Sequence, residues 1–232
     1  MKKSLGILGG MGPQATVDLM QKIINLTAAE SDAQHMRIYM DNHPQIPDRI
    51  SAILSAACDP VPAMQESLDK LTAMGADCVV MPCISAHYFL PQLQVKSDVC
   101  FINMLEVSAQ AAKAQYPRKK CGLLCSVATA KSGMVSQALS KMNVPHLHPQ
   151  EEDQFELGRL ILEVKANRTK QATPRFEAIC QEMAERGADY FLLACTELPL
   201  LAQAYQAPHR FVDATNELAK AAILNCGYEL RK

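Results

Sequence analysis

The 232-residue chain has neither a long run of one charge nor a long run of apolar residues. Lys and Arg number 23 against 24 Asp and Glu, for a formal net charge of -1, and the longest basic run is Arg118-Lys119-Lys120. So short a cluster reads as a solvated loop and excludes a nucleic-acid footprint. No segment reaches the roughly 18 uninterrupted apolar residues of a membrane-spanning helix. The opening MKKSLGILGG stops at a glycine turn after about four apolar residues, short of the roughly 7 to 15 of a signal h-region. It reads as a strand, so the protein is expected in the cytoplasm, with neither membrane nor nucleic acid as partner. Cys121 and Cys125 have three residues between them and no second pair or histidine at finger spacing, which excludes a structural zinc site. The glycine-rich GGMGPQAT (9–16) lacks both the Lys-Ser/Thr of a phosphate loop and the GxGxxG of a dinucleotide site.

What is present is a globular composition, 49% hydrophobic and 20% charged. Nine cysteines, most of them inside apolar runs, are expected to be reduced, with Cys78, Cys100 and Cys180 as small core residues. Short apolar runs alternate with stretches of helical period: LGILGG (5–10), ATVDLMQKIINLTAAE (15–30), MRIYMDN (36–42), then VPAMQESLDKLTAMGAD (61–77) closing on Gly75 before CVVMP (78–82). That is βαβ punctuation, and it predicts a parallel, doubly wound sheet.

The same order returns with matching residues. Gly75-Ala76-Asp77 and Gly187-Ala188-Asp189 lie 112 residues apart, and so do Cys83 and Cys195. LGILGG has a counterpart in CGLLCS (121–126), and FINMLEVSAQAA (101–112) in FVDATNELAKAA (211–222). The reading is a duplicated α/β chain: two similar doubly wound parallel-sheet domains related by a pseudo-two-fold axis, with the ligand cleft between their strand carboxyl ends. The expected boundaries are 1–103 plus 210–232 for the first domain, to which the final strand and helix return, and 104–209 for the second.

Four segments carry chemistry. The glycines of GGMGPQAT allow a tight turn before a helix whose free N–H groups suit a small anion. NHPQIPDR (42–49) is a proline-stiffened loop aiming Arg49, whose planar fork suits a carboxylate. MPCISAH (81–87) and LACTELP (193–199) each put a cysteine just past a buried strand and before a helix start, a setting expected to lower the thiol pKa. His87 and Glu197 are placed to orient or assist these thiols.

In this order and spacing the four segments resemble the aspartate/glutamate racemase family, particularly its aspartate racemases, over nearly the whole chain. The resemblance implies deprotonation at Cα of a small acidic amino acid by one cysteine and reprotonation from the opposite face by the other, with no pyridoxal phosphate, no metal and no other cofactor. It makes Cys83 and Cys195 the acid/base pair, Arg49 and Lys165 the carboxylate grips, and Met11, Gly12, Thr16, Ile84, Ser85, Thr129, Thr196 and Glu197 the lining; it also implies a homodimer. Family members usually read Cys-Asn-Thr where this chain has Cys83-Ile84-Ser85. A lost hydrogen bond to a charged group is worth about 1.5 to 3 kcal/mol, so ground-state binding is expected to weaken. The alternatives are an isomerase or epimerase of a small dicarboxylate or substituted amino acid, and an acidic-metabolite binder without turnover.

Overall fold

The computed structural model describes residues 2–204 and 210–231. Strands β1 (Leu5–Gly9), β2 (Ile38–Asn42), β3 (Cys78–Val80) and β4 (Cys100–Phe101) form one parallel sheet in the order β2-β1-β3-β4. Helices α1 (Pro13–Leu26), α2 (Arg49–Ser55), α3 (Val61–Ala73), α4 (Leu90–Gln94) and α5 (Met104–Gln115) connect and follow them. The chain then makes a second parallel sheet from β5 (Cys121–Cys125), β6 (His146–Leu147), β7 (Tyr190–Ala194) and β8 (Phe211–Asp213), ordered β6-β5-β7-β8. Its helices are α6 (Val127–Ser132), α7 (Met134–Lys141), α8 (Glu151–Lys165), α9 (Thr169–Glu185), α10 (Leu198–Ala204) and α11 (Ala214–Asn225).

The duplication extends to individual hydrogen bonds. Both α3 and α9 end in a Schellman turn at a left-handed glycine, Gly75 at φ 92° and Gly187 at φ 96°. Ala76 N–H donates to Leu71 O at 3.0 Å and Ala188 N–H to Met183 O at 2.9 Å. Asp77 Oδ2 accepts the N–H of Ser4 at 2.7 Å, and Asp189 Oδ2 that of Lys120 at 2.8 Å, so each carboxylate clamps the residue before the first strand of its sheet. The central pairs share one register: Leu5 opposite Cys78 and Gly6 opposite Val79, Cys121 opposite Tyr190 and Gly122 opposite Phe191.

β1, β3, β5 and β7 are buried throughout, as strands covered on both faces must be. In the first unit Leu8, Val79 and Met81 pack with Met64, Leu68 and Leu71 of α3 and Leu90 and Leu93 of α4. In the second, Leu124, Phe191 and Leu193 meet Leu157, Leu160, Ile161 and Val164 of α8 and Phe176, Ile179, Cys180 and Met183 of α9, positions at helical spacing.

The chain divides into two compact units, residues 1–107 with 215–232, and residues 108–214. The final strand, expected to rejoin the first unit, pairs instead with β7: the second copy keeps its own fourth strand, and α11 makes the return. The boundary expected at residue 209 falls outside the described residues. Cys100, expected in the core, is exposed, because β4 is a two-residue edge strand. Cys78, Cys121, Cys125 and Cys180 are buried thiols that burial pushes up to about 12. Among the described residues no helix is long and apolar enough to cross a membrane, and no cluster of three or more His, Cys, Asp or Glu is arranged to hold a metal ion.

The register predicts one cost. A Cβ at Gly122 would lie 2.6 Å from Phe191 Cδ1 and 3.2 Å from Ala188 Cβ. Gly122→Ala is therefore expected to destabilise the protein by about 1–3 kcal/mol through overpacking, read from urea unfolding midpoints; an unchanged midpoint would contradict this account of the strand contact.

Candidate active site

In a parallel sheet whose strand order reverses between two central strands, the loops leaving those strands diverge and open a crevice at their carboxyl ends. Here the reversal falls between β1 and β3 and between β5 and β7. GGMGPQAT leaves β1, MPCISAH leaves β3 and LACTELP leaves β7, while NHPQIPDR leaves the neighbouring β2.

In the first unit, Gly10, Met11 and Gly12 follow β1, and Cys83, Ile84 and Ser85 follow β3 through a tight turn closed by Cys83 N–H to Met81 O at 2.8 Å. Cys83 lies in one apolar cluster with Met11 and Ile46. Its Sγ is 3.4 Å from Ser85 Oγ. Thr16, expected to line the site, is fully buried, and its hydroxyl is spent on the glycine loop: it accepts Gly10 N–H and donates to Gly12 O, each at 2.9 Å. Gly12 is the N-cap of α1, so free N–H groups of that helix start lie at the strand end. Ile84 is 3% exposed and brings no polar atom on its side chain.

Arg49 starts α2, capped by Asp48, whose carboxylate accepts Ser51 N–H at 2.7 Å. Its Nη1 donates to Ile46 O and Pro47 O, both at 3.0 Å, so the proline-stiffened loop holds one end of the guanidinium with its own carbonyls. Nε is buried without a hydrogen-bond partner in a side chain only 9% exposed. A buried N–H left unpaired costs about 1–3 kcal/mol, which an incoming acceptor would recover.

His87 has a fixed role. Its Nδ1 lies 2.9 Å from Cys83 O, and Met104 N–H donates to its Nε2 at 3.0 Å. Because Nε2 accepts, Nδ1 must carry the proton and donate. The neutral ring thus ties the backbone of Cys83 to the start of α5 and does not touch the thiol; burial brings its pKa down to about 4.

In the second unit, Ser126 caps α6, accepting Thr129 N–H at 3.2 Å while its hydroxyl bonds Thr129 Oγ1 at 3.0 Å, so Thr129 is engaged in the cap. Cys195, Thr196 and Glu197 follow β7. Cys195 Sγ donates to Glu197 Oε2 at 3.1 Å, Thr196 Oγ1 donates to the same oxygen at 3.2 Å, and Lys165 Nζ, at the end of α8, lies 3.7 Å from Oε1. The expected lowering of this thiol pKa is reversed. Burial, then the Glu197 charge, then the hydrogen bond to that carboxylate push Cys195 well above the ordinary thiol value.

Gln154 of α8 escaped the sequence reading. Its amide donates to Cys125 O at the carboxyl end of β5 at 2.8 Å, while Oε1 is buried without a partner. No local motif marks it; only the packing of α8 on β5 singles it out.

A duplicated parallel α/β chain with a cysteine at the same strand end of both copies defines the fold class and the candidate site. The family model described as Asp/Glu/hydantoin racemase matches residues 8–222. The chain belongs to that family and is an isomerase, of the racemase type. It is 26% identical over 232 aligned residues to the broad-specificity amino-acid racemase RacX of Bacillus subtilis (strain 168), covering 94% of this chain and 96% of that protein. The structure of Picrophilus torridus aspartate racemase superposes with a TM-score of 0.89 at 33% identity, over 99% of this chain and 96% of that one. A glutamate racemase of Bacillus anthracis, at 19% identity and a TM-score of 0.63 over 94% of this chain and 79% of that one, shares the fold.

The buried imidazole sets an acid limit. His87 titrates near 6.5 when unfolded and near 4 when folded. Below 6.5 the unfolded chain takes up a proton that the folded one refuses, so stability is full above that pH and falls as pH drops towards 4, by about 3 kcal/mol from this group. Urea unfolding at pH 7 and pH 4.5 should show a loss that shrinks in His87→Gln; an identical loss in the variant would refute the assignment.

Proposed function

We propose that the protein racemises a small acidic amino acid by a two-thiol proton transfer at Cα, with Cys83 and Cys195 as the acid/base pair. The observation that supports it best is the pair of cysteines past β3 and β7, 112 residues apart, each with its sulfur bonded to the side chain two residues on. A structural cysteine has no reason to recur with such a partner at the same strand end of both copies.

The reaction needs one thiol on each face of Cα. A thiolate takes the Cα proton, the electron pair moves into the carboxylate, and the opposite thiol returns a proton to the other face. The carbanion beside a carboxylate is a far stronger base than a thiolate, so the developing enediolate must be stabilised by fixed charges and N–H groups. Arg49 supplies a fork whose buried Nε awaits an acceptor, and the start of α1 adds N–H groups. Lys165 is the second carboxylate grip, sharing its charge with Glu197. The chemistry requires no pyridoxal phosphate or metal. A homodimer and a cytoplasmic location remain part of this reading.

Because Ile84 offers the substrate no hydrogen bond, maleate and hydantoins belong in the substrate panel beside aspartate and glutamate, as tests of the related isomerase and epimerase readings. In D2O, one acidic amino acid is expected to exchange its Cα hydrogen and invert, followed by proton NMR and chiral chromatography. Cys83→Ser and Cys195→Ser should each abolish inversion, and inversion surviving in both would sink the mechanism. Saturable aspartate binding by calorimetry with no exchange over hours would favour a binder without turnover. Arg49→Lys removes the planar fork and is expected to lower kcat/KM by roughly tenfold to a hundredfold.

A further inference from the structure

Cys83 and Cys195 hold the same place in two copies of one unit, yet their partners differ in kind. Ser85 Oγ, 3.4 Å from Cys83 Sγ, is a hydroxyl that rotates to give its hydrogen to a thiolate or to take that of a thiol. Glu197 Oε2, 3.1 Å from Cys195 Sγ, belongs to a carboxylate that accepts only. A thiol donates to it; a thiolate is repelled by it. At 7% exposure Glu197 has little water around it to screen that repulsion.

The other groups around Cys195 do not overturn this. Thr196 Oγ1 donates to the same oxygen, and Lys165 lies 3.7 Å from the other. Lys165 and the Glu197 backbone N–H also favour a thiolate at Cys195, but less strongly than burial and the carboxylate oppose it.

We propose that Glu197 is a positioning residue that holds Cys195 as the protonated partner of the resting enzyme, leaving Cys83 as the thiol that starts as base. This rests on the two-thiol reading above. The enantiomer whose Cα hydrogen faces Cys83 then meets the enzyme ready to react. The Cys83 thiolate takes the Cα proton and becomes a thiol, the S–H bond of Cys195 breaks as its proton reaches the opposite face, and the enzyme is left with a Cys195 thiolate. Reset needs one proton gained from solvent at Cys195 and one lost from Cys83. The Glu197 carboxylate makes that reset downhill, because it raises the proton affinity of the sulfur beside it. Since D and L forms are equally stable, kcat/KM is the same in both directions, and the asymmetry is carried by the thiols themselves.

The test is alkylation by iodoacetamide across pH without substrate, with the Cys83 and Cys195 peptides quantified separately by mass spectrometry. Glu197→Gln keeps the shape and the acceptor but removes the charge. It should lower the pH midpoint for Cys195 by about one unit or more, roughly tenfold faster modification at pH 8, with the Cys83 midpoint unmoved. Glu197→Asp should keep the Cys195 midpoint high. Lys165→Met, which removes the opposing charge from a side chain 37% exposed, should move that midpoint up. In an active enzyme the alkaline limb of kcat/KM should shift down with Glu197→Gln. A Cys195 midpoint unchanged in Glu197→Gln, or lowered by Lys165→Met, overturns the proposal. The midpoints are read without turnover, so midpoints as expected in a protein that racemises nothing would remove the two-thiol reading alone.

Discussion

The placing of both cysteine loops follows from the parallel pairing of β1 with β3 and of β5 with β7. A parallel neighbour requires a long crossover, and a crossover strand buried on both faces must end at a loop, since its backbone groups have no further partner inside. The two loops leaving each central pair therefore emerge side by side. Met11 and Cys83 meet in one cluster for this reason, though 72 positions separate them in the chain. The clamps formed by Asp77 and Asp189 hold the opposite ends of the same strands, so register is fixed at both ends.

The repeat was readable because its most demanding positions tolerate few residues. Only glycine sits easily at φ near 90°, so Gly75 and Gly187 mark the ends of α3 and α9 in the bare sequence, and the cysteines follow at a fixed distance. The periodicity of α1 and α3 was legible for the same kind of reason, being imposed by burial. What was hidden depends on contacts distant in sequence. Thr16 reads as a site hydroxyl until its two bonds to the glycine loop are seen, and His87 reads as a thiol partner until Met104 N–H is found on its ring. The fourth strand of the second copy was misplaced because the chain does return to the first unit, one element later than expected. The lowered thiol pKa failed as an expectation at Cys195 because a helix start is a weak influence beside burial and, after it, a carboxylate 3.1 Å away.

The two copies also differ just after their cysteines. Their Schellman turns, clamps and strand registers agree residue by residue, while the positions after the cysteines differ: Ile84 against Thr196, Ser85 against Glu197. A duplicated scaffold offers the same socket twice, and the proposed two-thiol reaction asks the sockets to hold opposite protonation states at any instant. On that proposal, unequal residues around equal thiols answer the demand without altering the backbone that carries them.

The division into units also orders events in time. The second unit is one continuous stretch, residues 108–214, whereas the first needs its last 18 residues, 215–232, which supply α11, the acceptor Cys226 O for Lys3 N–H, and the bridge of Leu230 to Thr27. During synthesis the strands of the first unit leave the ribosome earliest, yet that unit is finished last, after the inserted one has all its residues. Until then the first unit lacks α11, whose Leu218, Ala219, Ala222 and Ile223 are fully buried in the folded chain, and the unit stays incomplete for as long as it takes to translate the second copy.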